Sequence, residues 1–98
     1  MPEPTDIIMF NAGANGDMEM VEKLLEAGVR IDMQGKDGWT GLMGASFYGH
    51  GEVLKMLVGK GASIDLQTKD GSTALIAASH EGHGEVVEML LGRGASMA

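Results

Sequence analysis

The sequence predicts an all-α solenoid of short helix-turn-helix units, and three observations lead to that prediction. A shift of 33 residues superimposes much of the chain on itself. Within each repeated unit, apolar residues recur at helical spacing in two short runs. Glycines and Asp-Gly pairs separate these runs at the same places in successive units. Units of this kind bury a continuous core only when they stack on one another.

The repeat is clearest between the middle and the C-terminal parts of the chain. Residues 49–53 read Gly-His-Gly-Glu-Val, and residues 82–86 read the same. Carried backwards, the shift aligns Leu24 with Leu57, but the first unit begins with Pro-Thr-Asp where the others have an Asp-Gly turn. We therefore predict a single domain over residues 1–98 with three units, of which the first is cap-like. The units span about residues 3–35, 36–68 and 69–98.

Within the middle unit, the pattern predicts a turn, two helices and an extended arm, in that order. Asp37-Gly38 is a turn dipeptide, because glycine readily adopts positive φ. The first helix is predicted to run from Thr40, its N-cap, to about residue 48, where Gly49 ends it. The second helix is predicted over about residues 50–59, and short β-hairpin-like loops then lead into the next unit. The same offsets apply to the third unit.

The spacing of apolar residues predicts which side chains are buried. Met20, Met56 and Met89 are expected to fill gaps on the buried stripe of the second helices. No polar closing repeat follows Leu90 and Leu91, so both are expected to be left uncovered at the end of the stack. For Leu90 this conflicts with the apolar spacing, which places it in the core. Eight residues are expected to fill the core between units: Leu42, Ala45, Val53, Leu57, Leu75, Ala78, Val86 and Leu90.

The unit resembles the ankyrin repeat, and the resemblance covers nearly the whole chain. Residues 37–43 and 70–76 read Asp-Gly-Trp-Thr-Gly-Leu-Met and Asp-Gly-Ser-Thr-Ala-Leu-Ile, where ankyrin repeats have Asp-Gly-x-Thr-Pro-Leu-His. The family's Pro and His are missing from both segments. Glycines at helical positions, such as Gly44 and Gly84, cost up to about 1 kcal/mol each relative to Ala. We therefore expect a marginally stable stack without a clear C-terminal cap.

The resemblance implies a scaffold that binds another protein and is not an enzyme. In ankyrin repeats, partners are usually held by the hairpin tips and the concave face of the first helices. Trp39 and Tyr48 are the strongest candidates, since exposed Trp and Tyr bury much area at little entropic cost. The alternative for Trp39 and Phe47 is packing between units. Carried over by position, the resemblance implies twelve partner-binding residues: Gln34, Lys36, Asp37, Trp39, Phe47, Tyr48, Gln67, Lys69, Asp70, Ser72, His80 and Glu81.

The charge of the chain bears on the class of partner. The formal net charge is −7, and the seven basic residues are scattered. Nucleic acids and anionic membranes attract clustered Lys and Arg, so neither is expected as a partner. A partner protein with a basic patch is expected instead. The acidic N-terminus lacks the features of a signal peptide, and the chain has no cysteine. We expect a soluble intracellular protein, cytoplasmic or nuclear.

The sequence predicts no cofactor, no metal site and no catalytic site. It contains neither of the glycine-rich motifs that bind phosphate. Ser46 and Ser79 are expected to lie in the core of the first helices, so neither is expected to act as a nucleophile. The segments that begin at Asp32 and Asp65 resemble a calcium loop, but an apolar residue stands where the bidentate Glu belongs. His80 and His83 are three residues apart, without a Cys or carboxylate that completes a metal set. His50 and His83 recur at one place, where we expect them to bond backbone before the second helix.

Two alternatives to a partner-binding module remain open from the sequence. In both, the chain belongs to a larger ankyrin-repeat protein and has no partner site of its own. It serves there either as a structural segment or as a targeting segment. It stops at Ala98, just after the second helix of the third unit. An uncapped end exposes apolar surface. We therefore expect either that the chain is a truncated part of a longer array or that it self-associates through its C-terminal repeat.

Overall fold

The computed structural model describes residues 5–35 and 37–96, and within them the chain forms six helices and no strand. The helices pair in chain order, and we call the three pairs the first, middle and third repeats. This arrangement confirms the predicted all-α solenoid. The helices are α1 (Thr5–Ala14), α2 (Met18–Glu26), α3 (Gly41–Tyr48), α4 (Gly51–Gly59), α5 (Ala74–His80) and α6 (Gly84–Gly92).

The helices pack in two layers. The molecule is elongated, with extents of 38 × 26 × 20 Å along its principal axes. In one layer α1 packs against α3 and α3 against α5, and in the other α2 packs against α4 and α4 against α6. Each helix also packs against the other helix of its own repeat. Residues 33 apart therefore occupy equivalent places in successive repeats. Within the described residues, no helix has both the length and the apolar character needed to cross a bilayer.

The first helices of the middle and third repeats begin at the threonine caps that the sequence predicts, and α3 ends at the predicted glycine, whereas α5 ends at His80 with Glu81 as its C-cap. The hydroxyl oxygen of Thr40 accepts a hydrogen bond from the Met43 N–H at 3.1 Å, and Thr73 caps α5 by the same bond to Ile76 at 3.2 Å. Gly49 follows α3 with a φ of 77°, in the left-handed region that glycine adopts without strain. These caps fix where each first helix starts, and so where the hairpin before it must end.

The core lies between the two layers, and all eight predicted core residues are buried. Met56 and Met89 pack half-buried against it, as expected. Met20 contradicts the prediction, because 40% of its surface is exposed. Its equivalents Val53 and Val86 are buried. In the described part of the chain, no helix pair precedes the first repeat, so nothing covers the position that Met20 occupies.

The opposite end of the stack leaves apolar side chains exposed. Ile76 and Leu91 are 47% and 38% exposed. The equivalent residues of the middle repeat are Met43, which is 2% exposed, and Val58, which is half-buried. Because the backbone places are equivalent, the difference arises from the third repeat, which covers the middle repeat and is not itself covered by described residues.

Two expectations about this end are wrong. Leu90 was expected to be uncovered together with Leu91, yet it is fully buried. It holds the place of Leu57 in the core, inside the repeat and away from the open end. Ser79 was expected to lie in the core and is exposed, whereas its equivalent Ser46 is fully buried. The Ser79 position is closed only when a further helix pair stacks on it.

Candidate partner-binding site

Hairpin-like turns carry the chain from each repeat into the next, and their tips form one edge of the molecule. The N–H of Gly35 donates to the carbonyl of Trp39 at 2.9 Å, and the residues 33 positions later pair in the same way at 2.8 Å. The two hairpins are joined by a bond of 2.9 Å from the Lys69 N–H to the Asp37 carbonyl. The predicted tip residues of the middle and third repeats therefore lie side by side.

Gln34, a predicted partner-binding residue, is a tie between these hairpins. Its side-chain amide donates to the carbonyl of Gly38 at 3.0 Å and to the carbonyl of Gln67 at 2.9 Å. The amide of Gln67 reaches only the carbonyl of Gly71, in its own hairpin, at 3.5 Å. The side chain of Gln34 thus holds two repeats together. A contact with a partner would come in addition to this structural role.

The aromatic side chains of the chain form one connected cluster. The Trp39 ring lies 5.9 Å from the ring of Phe10 and 6.0 Å from that of Phe47, in both cases edge to face. Phe47 in turn meets Tyr48 edge to face at 4.9 Å. Such contacts add stabilisation beyond the burial of area. Because Phe10 belongs to the first repeat, Trp39 packs between repeats, as the alternative interpretation of the sequence required.

Packing does not remove these rings from the surface. Trp39 remains half-buried and Tyr48 is 54% exposed. Together with Ile7, Gly35 and Asp37, the four aromatic residues line a groove of about 370 Å³, which we call the aromatic groove. The groove runs across the first and middle repeats, between α1, the hairpin and the end of α3. A rigid apolar wall with one acidic side chain at its edge is a surface suited to holding a protruding side chain of a partner.

Two groove residues, Ile7 and Phe10, are absent from the predicted set. The prediction includes no residue from the helices of the first repeat. The sequence nevertheless contained a signal for Phe10, since the chain has only four aromatic residues and the other three were predicted to bind the partner. The 33-residue shift also equates it with Met43 on the first helix of the middle repeat.

The third repeat presents polar side chains where the middle repeat has rings. Ser72, His80 and Glu81 occupy the places of Trp39, Phe47 and Tyr48. The His80 imidazole and the Glu81 carboxylate lie 2.9 Å apart on the surface, where an ion pair contributes little stability. The predicted residues thus divide between the aromatic groove (Asp37, Trp39, Phe47, Tyr48), the hairpin tips (Gln34, Gln67, Lys69, Asp70, Ser72) and the third repeat (His80, Glu81), while Lys36 lies outside the described residues.

Asp70 is the tip residue with a perturbed ionisation. The hydroxyl of Thr68 donates a hydrogen bond to its carboxylate, and the Ser72 N–H in turn donates to the Thr68 hydroxyl at 3.0 Å. The bond from Thr68 lowers the pKa of the Asp70 carboxyl below its ordinary value of 3.8, against a smaller opposing effect of burial. The carboxylate is therefore committed to fixing its own turn.

The recurring histidines have a structural place, although not the one expected. The Nε2–H of His83 donates to the carbonyl of Phe47 at 2.9 Å, so the backbone it bonds belongs to the preceding repeat. Its ring lies against Gly49, where a Cβ atom would come within 2.6 Å of the His83 Nδ1. His50 lies against Gly16 in the same manner, at 2.7 Å. These imidazole rings therefore pack between successive repeats.

The segments that resemble calcium loops also join repeats. The Asp32 carboxylate accepts hydrogen bonds from the N–H and the hydroxyl of Ser63, at 2.9 and 2.7 Å. Asp65 accepts from the N–H of Ser96, 31 residues further on, at 3.0 Å. Within the residues that the structure describes, no group of three or more His, Asp or Glu is arranged to hold a metal ion.

Comparison with known proteins agrees with the repeat geometry. A family model for ankyrin repeats matches residues 8–98 in three copies. A search of curated proteins gave no match. The match spans the weak first repeat as well as the two clear ones, and the helix pairs, Thr caps and hairpin turns stand where the repeat requires them. The chain therefore belongs to the ankyrin repeat family.

Proposed function

We propose that this protein binds a partner protein through the aromatic groove and the adjoining hairpin tips. Ankyrin repeats are generally protein–protein interaction modules. For this chain, the observation that supports the proposal most is the groove itself, because it gathers all four aromatic residues at one place. Trp and Tyr are enriched among the residues that dominate binding energy at interfaces. The proposal involves no catalytic step.

The proposed mechanism is rigid presentation of side chains. Trp39 is held from two sides by Phe10 and Phe47, and the hydrogen bond between Gly35 and Trp39 fixes the backbone beneath it. A partner then meets a surface that is already ordered. Association costs about 0.5–1.5 kcal/mol for each flexible side chain that must be immobilised, so side chains that are already fixed bind with less loss.

The partner site is proposed to be basic in character, because the chain has a formal net charge of −7. Complementary charge speeds association and is screened by salt. Affinity for the partner should therefore fall as ionic strength rises. An affinity that stays constant from low to high salt would contradict this part of the proposal. We place the interaction inside the cell, in the cytoplasm or nucleus, since a chain without cysteine suits a reducing compartment.

Affinity capture with quantitative mass spectrometry tests the proposal. The bait is the full chain, compared with a double variant, Trp39→Ala with Tyr48→Ala. A matched control carries Lys55→Ala with Glu88→Ala, which truncates two exposed side chains on α4 and α6, outside the groove and the hairpin tips, and leaves the net charge unchanged. Partners are expected to be lost with the first pair and retained with the second. Circular dichroism spectra of all three proteins establish that each is folded.

If the groove variant retains every partner that the wild type captures, the groove is not the binding site. If the control loses the same partners as the groove variant, binding depends on the stack as a whole. Retention of every partner by the groove variant would favour the second candidate, a structural or targeting segment of a larger ankyrin-repeat protein without a partner site of its own.

The open end of the stack is the observation that favours this second candidate. Ile76 and Leu91 line an apolar depression of about 540 Å³, at places that are covered in the middle repeat. Self-association through this end predicts a molecular mass that rises with concentration in light scattering. Leu91→Glu should then restore the monomer, whereas Ile7→Glu, a charge at an exposed apolar position elsewhere, should not. A monomeric wild type at every concentration would exclude self-association.

A further inference from the structure

The aromatic groove has a chemical feature that the other hairpin of the described chain lacks. Its walls are flat rings, and its described lining carries one charged group, the carboxylate of Asp37. Ring faces carry partial negative charge, so they attract a cation placed over them. A carboxylate beside them adds attraction of the same sign. The groove is therefore electrostatically suited to a positive group with an apolar stem.

The Asp37 carboxylate is available for such a group, in contrast to its equivalent in the third repeat. Asp70 is engaged by the hydroxyl of Thr68. The residue at the place of Thr68 in the middle repeat is Gly35, which has no hydroxyl. Among the described residues, the Asp37 carboxylate takes part in no hydrogen bond or ion pair. The ion pairs found there join Lys23 to Glu19 and His80 to Glu81.

We propose that the aromatic groove holds an arginine side chain of the partner, its guanidinium stacked on the rings and paired with the Asp37 carboxylate. This inference rests on the proposed function and names the chemistry of the same site. A guanidinium is planar, stacks on aromatic faces and pairs with a carboxylate through two parallel N–H bonds. An ammonium offers neither the flat face nor the paired geometry, and it is more strongly hydrated. The volume of about 370 Å³ leaves room for the whole side chain.

Three capped glycine–serine heptapeptides test the proposal, with arginine, lysine or citrulline at the central position. Citrulline keeps the shape of arginine and removes its charge. Binding is followed by the fluorescence of Trp39, which is the only tryptophan in the chain and lies in the groove wall. The arginine peptide should give a saturable change. The citrulline peptide should bind about tenfold more weakly and the lysine peptide several-fold more weakly.

Two charge-neutralising variants locate the effect. Asp37→Asn should weaken binding of the arginine peptide about fivefold or more and leave the citrulline peptide unaffected. Glu88→Gln makes the same charge change at an exposed position on α6, outside the groove and the hairpin tips, and should leave both affinities unchanged. Circular dichroism confirms that both variants are folded. Equal affinity for the arginine and citrulline peptides, equal affinity for arginine and lysine, or an unchanged affinity in Asp37→Asn would each overturn the proposal.

The failure of this inference can be distinguished from failure of the proposed function. If partner capture depends on Trp39 and Tyr48 while the peptides do not discriminate, the groove binds a partner through some other group. If the peptides discriminate as expected and no partner depends on the groove in cell extracts, the arginine subsite stands and the wider proposal fails.

Discussion

Gly13 is the position where the structure and helix propensity make opposite predictions. It lies inside α1, and an alanine there would gain up to about 1 kcal/mol from helix propensity alone. A Cβ atom on Gly13 would, however, lie 2.2 Å from the carbonyl oxygen of Gly41 and 2.9 Å from its carbonyl carbon. Both atoms belong to the backbone of α3, so no side chain can turn away. The two helices would have to move apart.

We therefore expect Gly13→Ala to destabilise the protein. Overpacking of a closely packed interface typically costs about 1–3 kcal/mol. For a chain of this size, each kcal/mol lowers the melting temperature by roughly 4–8 °C. Gly84→Ala is the matched control, because a Cβ there meets nothing within 4 Å and the backbone is helical. That change should stabilise the protein by about 0.4–1 kcal/mol, mainly by restricting the unfolded chain.

Urea unfolding followed by circular dichroism measures both changes, and Trp39 fluorescence gives a second probe close to the altered interface. In Gly13→Ala, separation of α1 from α3 should also loosen the contact between Phe10 and Trp39, which shifts the folded-state emission to longer wavelength. If Gly13→Ala is as stable as the wild type or more stable, the close approach of the two helices is not the constraint that we infer from the structure.

Three further predictions follow from individual contacts. Gln34→Ala should lower the free energy of unfolding by about 0.5–1.5 kcal/mol in urea titrations, because it removes a bond between hairpins; Gln67→Ala should cost less, and equal losses would contradict the assignment. Asp70→Asn should lower the free energy of unfolding near neutral pH. The difference from the wild type should disappear as the pH falls below 3.8 and through the lowered pKa of the folded carboxyl. A difference that does not depend on pH would count against the bond to Thr68. The melting temperature should lie well below 80 °C, as judged by calorimetry, because so many helical positions hold glycine; cooperative unfolding near or above that temperature would show the stack to be stronger than its composition implies.

The repeat made most of the fold predictable from sequence. Once residues 33 apart are treated as equivalent, the threonine caps, the end of α3 and the eight core positions follow from local rules. The Thr40 cap illustrates why, since its hydroxyl bonds the N–H only three residues away. Interactions of this kind are determined by short stretches of sequence, so sequence patterns describe them well.

The errors arose where a position depends on what stacks against it. Met20 and Ser79 have the residue types and spacing of buried positions, but each lies at an end of the described stack. Phe10 was overlooked for a related reason, because its role in the groove exists only once α1 packs on α3. Periodicity specifies which face a residue occupies and gives no information on whether another repeat covers that face.

Gly44 shows how the stack and the groove depend on the same glycine. Propensity alone treats Gly44 as a liability within α3. In the structure, a Cβ atom there would lie 3.0 Å from the ring carbon Cε1 of Phe10 and 3.0 Å from the Phe10 carbonyl oxygen. The missing side chain therefore gives room for the ring that supports Trp39. An alanine there would require Phe10, which forms one wall of the groove, to shift by a few tenths of an ångström, so a change that raises helix propensity at this position also alters the surface on which the proposed binding depends.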